Sequence, residues 1–126
     1  MRLPVLGYVS CGFPSPAQNY TEPTLDLNEH LISKPSASFF VKAKGDSMEP
    51  EIKNGSLLIV DRSITAKNGD IILAVLNGEF TIKRFTKKGD VVQLTAENPK
   101  YKPMMINADS DFQVWGVAVH SIHKLR

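Results

Sequence analysis

The sequence predicts a mainly β fold, preceded by an extended N-terminal arm and one short helix. From residue 38 onward, short runs of β-branched and aromatic residues alternate with turn residues, which is typical of strands. Asn-Gly pairs separate several of these runs, and such pairs favour tight turns. Several runs are apolar at successive positions, so both of their faces are expected to be buried. Together these observations indicate a folded-over sheet or a small barrel.

The extended arm is predicted over residues 1–24. This segment shows little periodicity, and each of its prolines removes a backbone donor and favours extended geometry at the residue before it; they stand at positions 4, 14, 16 and 23. The next segment, TLDLNEHLI at residues 24–32, carries spaced leucines and a possible N-cap at Thr24 or Asp26. We therefore predict one short helix there, ended by Lys34-Pro35.

The remaining sequence predicts strands. Seven apolar segments are separated by turn residues, and they span residues 38–43, 56–61, 70–76, 79–85, 90–96, 104–106 and 113–122. Asn77-Gly78 lies between two of them and predicts a two-residue hairpin. Residues 25–126 are thus expected to form one β domain behind the arm.

Composition restricts the class of protein. The chain has 126 residues, of which 42% are hydrophobic and 22% charged, enough for a real but modest core. A formal net charge of +2 does not favour nucleic-acid binding as the main activity, because that activity usually shows as a clustered basic face. The single cysteine excludes an internal disulfide framework and a cysteine-built zinc site, and it fits a reducing compartment. We expect no metal and no cofactor.

The sequence predicts no membrane segment. No apolar run approaches the roughly 18 residues that a transmembrane helix needs. The opening MRLPVLGYVSC could be mistaken for a lipoprotein signal ending at Cys11, but its apolar part is short and contains Pro4, Gly7 and Tyr8. We therefore expect a cytoplasmic protein.

A candidate nucleophile interrupts the strand pattern in KAKGDSMEP, residues 42–50. The residues around Ser47 predict a tight bend, on which backbone N–H groups can form an oxyanion hole. Ser47 could instead cap a short helical turn beginning at Glu49-Pro50. A nucleophilic serine also needs a base. Three histidines could serve, with Asp46 or Asp61 completing a triad, but none stands in a recognisable active-site motif: His30, His120 and His123.

Lys83, in GEFTIKRF, is a better candidate for the base. It lies in the second strand of the predicted hairpin, where an ordered backbone would hold it. Burial can depress a lysine pKa from about 10.4 to about 5–6, whereas arginine keeps its proton, so Lys83 can act as a base and Arg84 cannot. Side-chain alternation does not show which face of this strand is wet, and a solvated strand lysine is the alternative.

Taken together, these motifs closely resemble the UmuD proteins, the self-cleaving accessory subunits of the error-prone translesion DNA polymerase V, which are related to the LexA repressor and to signal peptidases. The matching stretches are CGFPSPAQNY, PSASFFVKAKGDSM, GSLLIVDRSITAKNGDII and NGEFTIKR, and the likeness continues to VWGVAVHSI. The resemblance implies a fold like the LexA C-terminal domain. It implies that Ser47 is the nucleophile, Lys83 the general base and Cys11-Gly12 the bond that is cut. The backbone N–H groups of Asp46 and Ser47 would then be the oxyanion donors.

The resemblance also implies a biological role. Cleavage would be stimulated by a RecA filament on single-stranded DNA during the SOS response to DNA damage. The product, residues 12–126, would form a homodimer and join the UmuC-like catalytic subunit of the translesion polymerase. Neither membrane attachment nor sequence-specific DNA binding is implied.

Two features depart from the family pattern, and three alternatives stay open. Only ten residues precede Cys11, and the stretch MEPEIKNG after Ser47 is slightly short. A LexA-like repressor is one alternative, although ten residues are too few for a helix-turn-helix ahead of the cleavage site. A β dimerisation or binding module with an inactive serine and lysine is the second. A signal peptidase is the third, but it would lack its membrane anchor.

Overall fold

The computed structural model describes residues 2–5, 11, 22–107 and 109–126. The chain divides into two compact units, Met1–Ser33 and Lys34–Arg126. In the described part of the chain, no helix is long and apolar enough to cross a membrane.

The N-terminal unit contains two short strands and the helix. Strands β1 (Arg2–Val5) and β2 (Glu22–Asp26) pair antiparallel, and helix α1 (Leu27–Leu31) follows directly, within the predicted segment 24–32. The two strands were not predicted from the sequence, because each contains a proline. A two-stranded sheet leaves one edge of each strand unpaired, and proline is tolerated at such an edge.

The C-terminal unit is built on one antiparallel sheet of seven strands in the order β3-β4-β9-β5-β6-β7-β8. A 3₁₀ turn at Pro35–Ala37 precedes it. The strands are β3 (Ser38–Lys42), β4 (Leu57–Asp61), β5 (Ile71–Leu76), β6 (Glu79–Lys88), β7 (Val91–Thr95), β8 (Met104–Ile106) and β9 (Phe112–Ile122). All seven predicted strand segments are confirmed, although β6 continues past its predicted end at Phe85. The prediction of a mainly β fold is therefore correct.

The β5–β6 hairpin turns at Asn77-Gly78, as the sequence predicts. Leu76 pairs with Glu79, so only two residues form the loop. Both loop residues have positive φ, 50° for Asn77 and 84° for Gly78. This conformation matches the right-handed twist of the paired strands, and it is why the Asn-Gly pair is favoured there.

Two apolar clusters pack on opposite faces of the central strands. In β5, Ile71 and Leu73 pack in one cluster, and Ile72 and Ala74 belong to the other, so this strand is buried on both faces. The first cluster also contains residues of the β3–β4 connection, namely Ala43, Met48 and Ile52. The second cluster contains Phe85 of β6 and Leu94 of β7. The connection that carries the candidate nucleophile is therefore anchored in the core.

Candidate active site

Ser47 lies in the connection between β3 and β4, residues 43–56. The base of this connection is closed by backbone hydrogen bonds of 2.8 Å from Ala43 N–H to the Ser56 carbonyl and from Gly55 N–H to the Ala43 carbonyl. A third bond, also 2.8 Å, runs from Gly45 N–H to Oδ1 of Asn54. Gly45 has a φ of +94°, which L side chains rarely adopt. These contacts fix the backbone of the connection up to the turn at residues 46–49, which carries Ser47 and is called the nucleophile turn below.

The turn around Ser47 is held from both sides. Glu49 N–H donates to the Asp46 carbonyl at 3.1 Å, and Ile52 N–H donates to the Met48 carbonyl at 2.8 Å. The side chains of Met48 and Ile52 are buried in the first apolar cluster. Ser47 itself is half-buried, so its hydroxyl is carried at the surface by a turn that cannot easily shift.

The backbone hydrogen bonds of the turn do not use the N–H groups of Asp46 and Ser47. Among residues 22–107 and 109–126, the Ser47 N–H donates to no protein acceptor, and the Asp46 N–H interacts only with its own carboxylate. A backbone N–H group that is not used within the protein can donate to an anionic oxygen. The two groups can therefore serve as oxyanion donors, as the sequence analysis expects.

Lys83 reaches Ser47 from β6. It is paired with Ile72 of the central strand β5, so its backbone lies in the middle of the sheet. Its Nζ donates to Ser47 Oγ over 3.2 Å and to the Ile82 carbonyl over 3.2 Å. The structure thus brings the two predicted catalytic side chains together, although 36 positions separate them in the chain.

Burial lowers the pKa of the Lys83 ammonium below the usual range of a lysine. No carboxylate of the described residues forms an ion pair with it, so no opposite charge there offsets the loss of hydration. Its neighbour Arg84 is placed differently, with Nε 2.6 Å from Glu97 Oε1 and Nη1 donating to the Gly69 carbonyl at 2.6 Å. Lys83 therefore loses its proton at a lower pH than an ordinary exposed lysine, and it more readily supplies the neutral amine that a base needs.

A cleft of about 250 Å³ opens beside the two side chains. Its walls come from β3, the β3–β4 connection, β5 and β6. They combine apolar side chains with polar ones, including Val41, Met48, Leu73 and Ile82 on the apolar side and Lys42, Lys44 and Thr81 on the polar side. Phe80 also lines it and stacks edge-on against Trp115 with ring centroids 5.5 Å apart. Strand β3 pairs only with β4 among the described strands, which leaves its other edge open to an added strand. The cleft and the open edge of β3 therefore suit an extended peptide.

The alternative triads are not assembled. The Asp46 carboxylate accepts hydrogen bonds from Tyr101 Oη at 2.5 Å and from Lys100 Nζ at 2.8 Å. Both bonds lower the pKa of Asp46, and the bond from Lys100 has the larger effect. Asp61 is buried and accepts two bonds from Ser63, which lower its pKa. Neither carboxylate is hydrogen-bonded to a histidine in the part of the chain that the structure describes.

The three histidines belong to other elements of the fold. His120 is on β9, where it pairs with Ile59, and His123 follows the end of that strand. His30 belongs to helix α1 of the N-terminal unit. Within the described ranges, no group of three or more His, Cys, Asp or Glu side chains could hold a metal ion.

Only half of the predicted cleavage site can be described. Cys11 is exposed and carries a free thiol. Gly12 lies outside the described residues.

The segment 97–101, ENPKY, braces the nucleophile turn, and its role was not predicted from the sequence. Asn98, Lys100 and Tyr101 all contact Asp46, and Asn98 also contacts Ser47. The available signal was the Asn-Pro pair, which marks a turn but does not indicate what the turn touches.

Comparison with known proteins identifies a family and several relatives. Residues 4–119 match the family described as peptidase S24-like. The chain is 44% identical over 116 residues to Protein SamA of Salmonella typhimurium, covering 91% of this chain and 80% of that protein. It is 39% identical over 117 residues to Protein ImpA of Escherichia coli, covering 91% and 79%. It is 40% identical over 108 residues to the LexA repressor of Shewanella denitrificans, covering 85% of this chain and 52% of the repressor.

Proposed function

Because this chain belongs to the peptidase S24-like family, as its resemblance to the UmuD proteins led us to expect, we propose that it is a serine endopeptidase that cleaves itself at Cys11-Gly12. Ser47 is the nucleophile and Lys83 the general base. The observation that carries the proposal is the 3.2 Å separation of Lys83 Nζ and Ser47 Oγ, at an amine whose pKa is lowered by burial. Neither the short Nζ–Oγ distance nor the lowered pKa is expected of a solvated lysine beside a serine that only caps a helical turn.

Acylation begins with the transfer of the Ser47 hydroxyl proton to the neutral amine of Lys83. The Ser47 oxygen bonds to the carbonyl carbon of Cys11, and the carbonyl oxygen takes the negative charge. The N–H groups of Asp46 and Ser47 bind this oxyanion. When the carbon–nitrogen bond breaks, Lys83 returns the proton to the amine of Gly12, which leaves as a new N-terminus.

Deacylation uses the same groups in reverse. Lys83 takes a proton from water, and the resulting hydroxide attacks the ester between Ser47 and Cys11. The tetrahedral intermediate collapses, and Ser47 leaves with the proton that Lys83 held. The products are residues 1–11 with a free carboxylate, residues 12–126, and an unchanged dyad.

The choice of scissile bond fits the chemistry of the cleft. Glycine on the leaving side offers no side chain to block the approach of Ser47, and cysteine is small enough for a shallow pocket. A cleavage site carried by the same chain, or by a second copy, is present at a high effective concentration. A slow dyad can therefore cleave its own arm while acting poorly on other proteins.

The biological part of the proposal rests on the family resemblance. A RecA filament on single-stranded DNA would promote cleavage by binding the cleavable conformer more tightly than the uncleavable one, which shifts the population. The shortened subunit would dimerise, join the catalytic subunit of a translesion polymerase in the cytoplasm, and support mutagenic synthesis across damaged DNA.

Self-cleavage is tested on the purified full chain at mildly alkaline pH, with and without RecA filaments. We expect a product that begins at Gly12, identified by mass spectrometry and N-terminal sequencing. Ser47→Ala and Lys83→Met should stay whole. Lys87→Met is the matched control, because Lys87 is an exposed lysine on the same strand β6; this variant should cleave like the wild type.

If the wild type and Ser47→Ala both stay intact under all these conditions, the chain is a binding module with inactive residues. The similarity to the LexA repressor favours a second candidate function, in which the same peptidase controls a DNA-binding protein. Saturable, sequence-specific binding to duplex DNA would favour the repressor, and its absence would favour the polymerase subunit.

A further inference from the structure

Asn98 links the nucleophile turn to the segment 98–101. Its backbone N–H donates to the Ser47 carbonyl at 3.0 Å, and its side-chain Nδ2 donates to the Asp46 carbonyl at 3.1 Å. Its two oxygens are also used: Oδ1 accepts from Lys100 N–H and the carbonyl from Tyr101 N–H, both at 3.1 Å. One residue therefore ties together two adjacent peptide units of the nucleophile turn.

The bond to the Asp46 carbonyl has a consequence for the N–H of Ser47. Both groups belong to one planar trans peptide, so they point in opposite directions. The carbonyl is held by Asn98 Nδ2 and by Glu49 N–H, and the peptide cannot rotate without breaking both bonds. The direction of the Ser47 N–H is thereby fixed away from Asn98 before any substrate binds.

The opposite side of the contact is also secured. The Asp46 side chain accepts from Tyr101 Oη and Lys100 Nζ, the two residues that Asn98 holds in its own turn. The two turns are therefore joined twice. Asn98 donates to the main-chain carbonyls of Asp46 and Ser47, and the Asp46 carboxylate accepts from the side chains of Lys100 and Tyr101. Such double anchoring reduces the freedom of both turns, which is what a preorganised oxyanion site requires.

From these contacts we infer that Asn98 is a positioning residue, which orients the Asp46–Ser47 peptide so that the Ser47 N–H is ready for the oxyanion. The inference deepens the proposed peptidase function and depends on it. Asn98 acts through the peptide and not on the substrate. Its loss should therefore slow the chemical step without changing the proton affinity of Lys83.

The chain contains a matched control for the turn itself. Asn107 forms the same local pattern as Asn98: its Oδ1 accepts from Asp109 N–H at 2.9 Å, and its carbonyl accepts from Ser110 N–H at 3.1 Å. It has no bond to the nucleophile turn among the described residues. Asn107→Ala thus removes a turn cap alone, whereas Asn98→Ala removes a turn cap and the link to Asp46.

Asn98→Ser separates the two roles within one position. A serine hydroxyl can still accept from the N–H two residues later and keep the turn, but the shorter side chain does not reach the Asp46 carbonyl. This variant also protects the test if Asn98→Ala fails to fold.

The experiment measures the rate of self-cleavage of the full chain against pH, together with the melting temperature, for wild type, Asn98→Ala, Asn98→Ser, Asn107→Ala and Ser47→Ala. Removing one oxyanion donor costs roughly 10²–10³-fold in rate, so misorienting one should cost about 10–100-fold. We expect that loss for both Asn98 variants, with the midpoint of the pH profile unchanged. Asn107→Ala should stay within about twofold of the wild type, the range of an exposed substitution remote from the site.

Two results would overturn the inference and leave the peptidase function standing. One is an Asn98→Ser variant that cleaves as fast as Asn107→Ala. The other is a pH midpoint moved upward in the Asn98 variants, because Asn98 would then act on the burial of Lys83. If the wild type itself releases no product beginning at Gly12, the proposed function fails first and the role of Asn98 fails with it.

Discussion

Lys83 Nζ lies 3.2 Å from Ser47 Oγ, and no carboxylate of the described residues is paired with this amine. A second lysine, Lys100, lies close to the same turn, but its Nζ is 2.8 Å from Asp46 Oδ2. The two pKa shifts have opposite signs: burial lowers the pKa of Lys83, and the bond to Asp46 raises that of Lys100. Of these two lysines, only Lys83 therefore has a pKa that favours loss of its proton.

The first prediction is the pH dependence of self-cleavage. The rate should rise with pH as Lys83 loses its proton, and it should level off at a pH below the usual pKa of a lysine, because burial lowers the pKa. The measurement is the first-order rate of appearance of the product beginning at Gly12 over a series of buffers at constant ionic strength.

Lys83→Arg is the control for this profile. Arginine keeps a similar length and charge but does not lose its proton, so the variant should be inactive across the whole series. A wild-type rate that is independent of pH, or that keeps rising into the range of ordinary lysines, would contradict the assignment.

The second prediction concerns stability at the same residue. The pKa of Lys83 is lower in the folded protein than in the unfolded chain, so the unfolded state binds more protons between these two values and stability rises with pH in that window. Below the window the buried ammonium carries its full penalty. At a pH below this window, Lys83→Met should therefore melt above the wild type, and the difference should shrink as the pH rises through the window.

Thermal unfolding of the Ser47→Ala background avoids interference from cleavage in this experiment. Lys87→Met serves as the reference, because Lys87 lies on the same strand and is exposed. Equal melting temperatures for Lys83→Met and Lys87→Met at all pH values would show that Lys83 is not penalised by burial.

The strands could be predicted from sequence because their signals are local. β-branched runs and the Asn77-Gly78 turn report on neighbouring residues, and the seven strand segments were found where the structure has them. Strands β1 and β2 were missed because Pro4 and Pro23 argue against strands, and proline is tolerated here only at the unpaired edges of the two-stranded sheet.

The site was harder to predict than the strands. The proximity of Ser47 and Lys83 was expected because a nucleophilic serine needs a base and because the chain resembles the family. Strand alternation alone did not show on which face of the sheet the Lys83 side chain lies. Asn98 was missed because its partners are backbone carbonyls of Asp46 and Ser47, and contacts to a carbonyl leave no pattern in the side chains of either segment.

The third prediction tests the backbone at the entrance of the nucleophile turn. Gly45 has φ +94° and Gly89, between β6 and β7, has φ +58°, and at neither position would a Cβ meet an atom within 4 Å. Alanine at either position should cost about 1–2 kcal/mol through backbone strain alone. Only Gly45→Ala should slow cleavage, on the order of tenfold, because only there is the strain transmitted to the nucleophile.

Chemical denaturation gives the stability cost and the cleavage assay gives the rate for each glycine variant. If both variants lose rate in proportion to their loss of stability, the conformation of Gly45 has no particular role in presenting Ser47.

The last prediction separates the two apolar clusters. Met48 is 4% exposed in the cluster beneath the nucleophile turn, and Leu94 is fully buried in the cluster on the other face of the sheet. Truncation of either side chain to alanine should lower the free energy of unfolding by about 2–5 kcal/mol. The cleavage rate of the remaining folded molecules should fall for Met48→Ala, because its cavity lies directly under the turn, and should stay near the wild-type rate for Leu94→Ala. Equal rates for the two variants, corrected for the folded fraction from urea titration, would show that the turn is positioned by its hydrogen bonds and not by its packing.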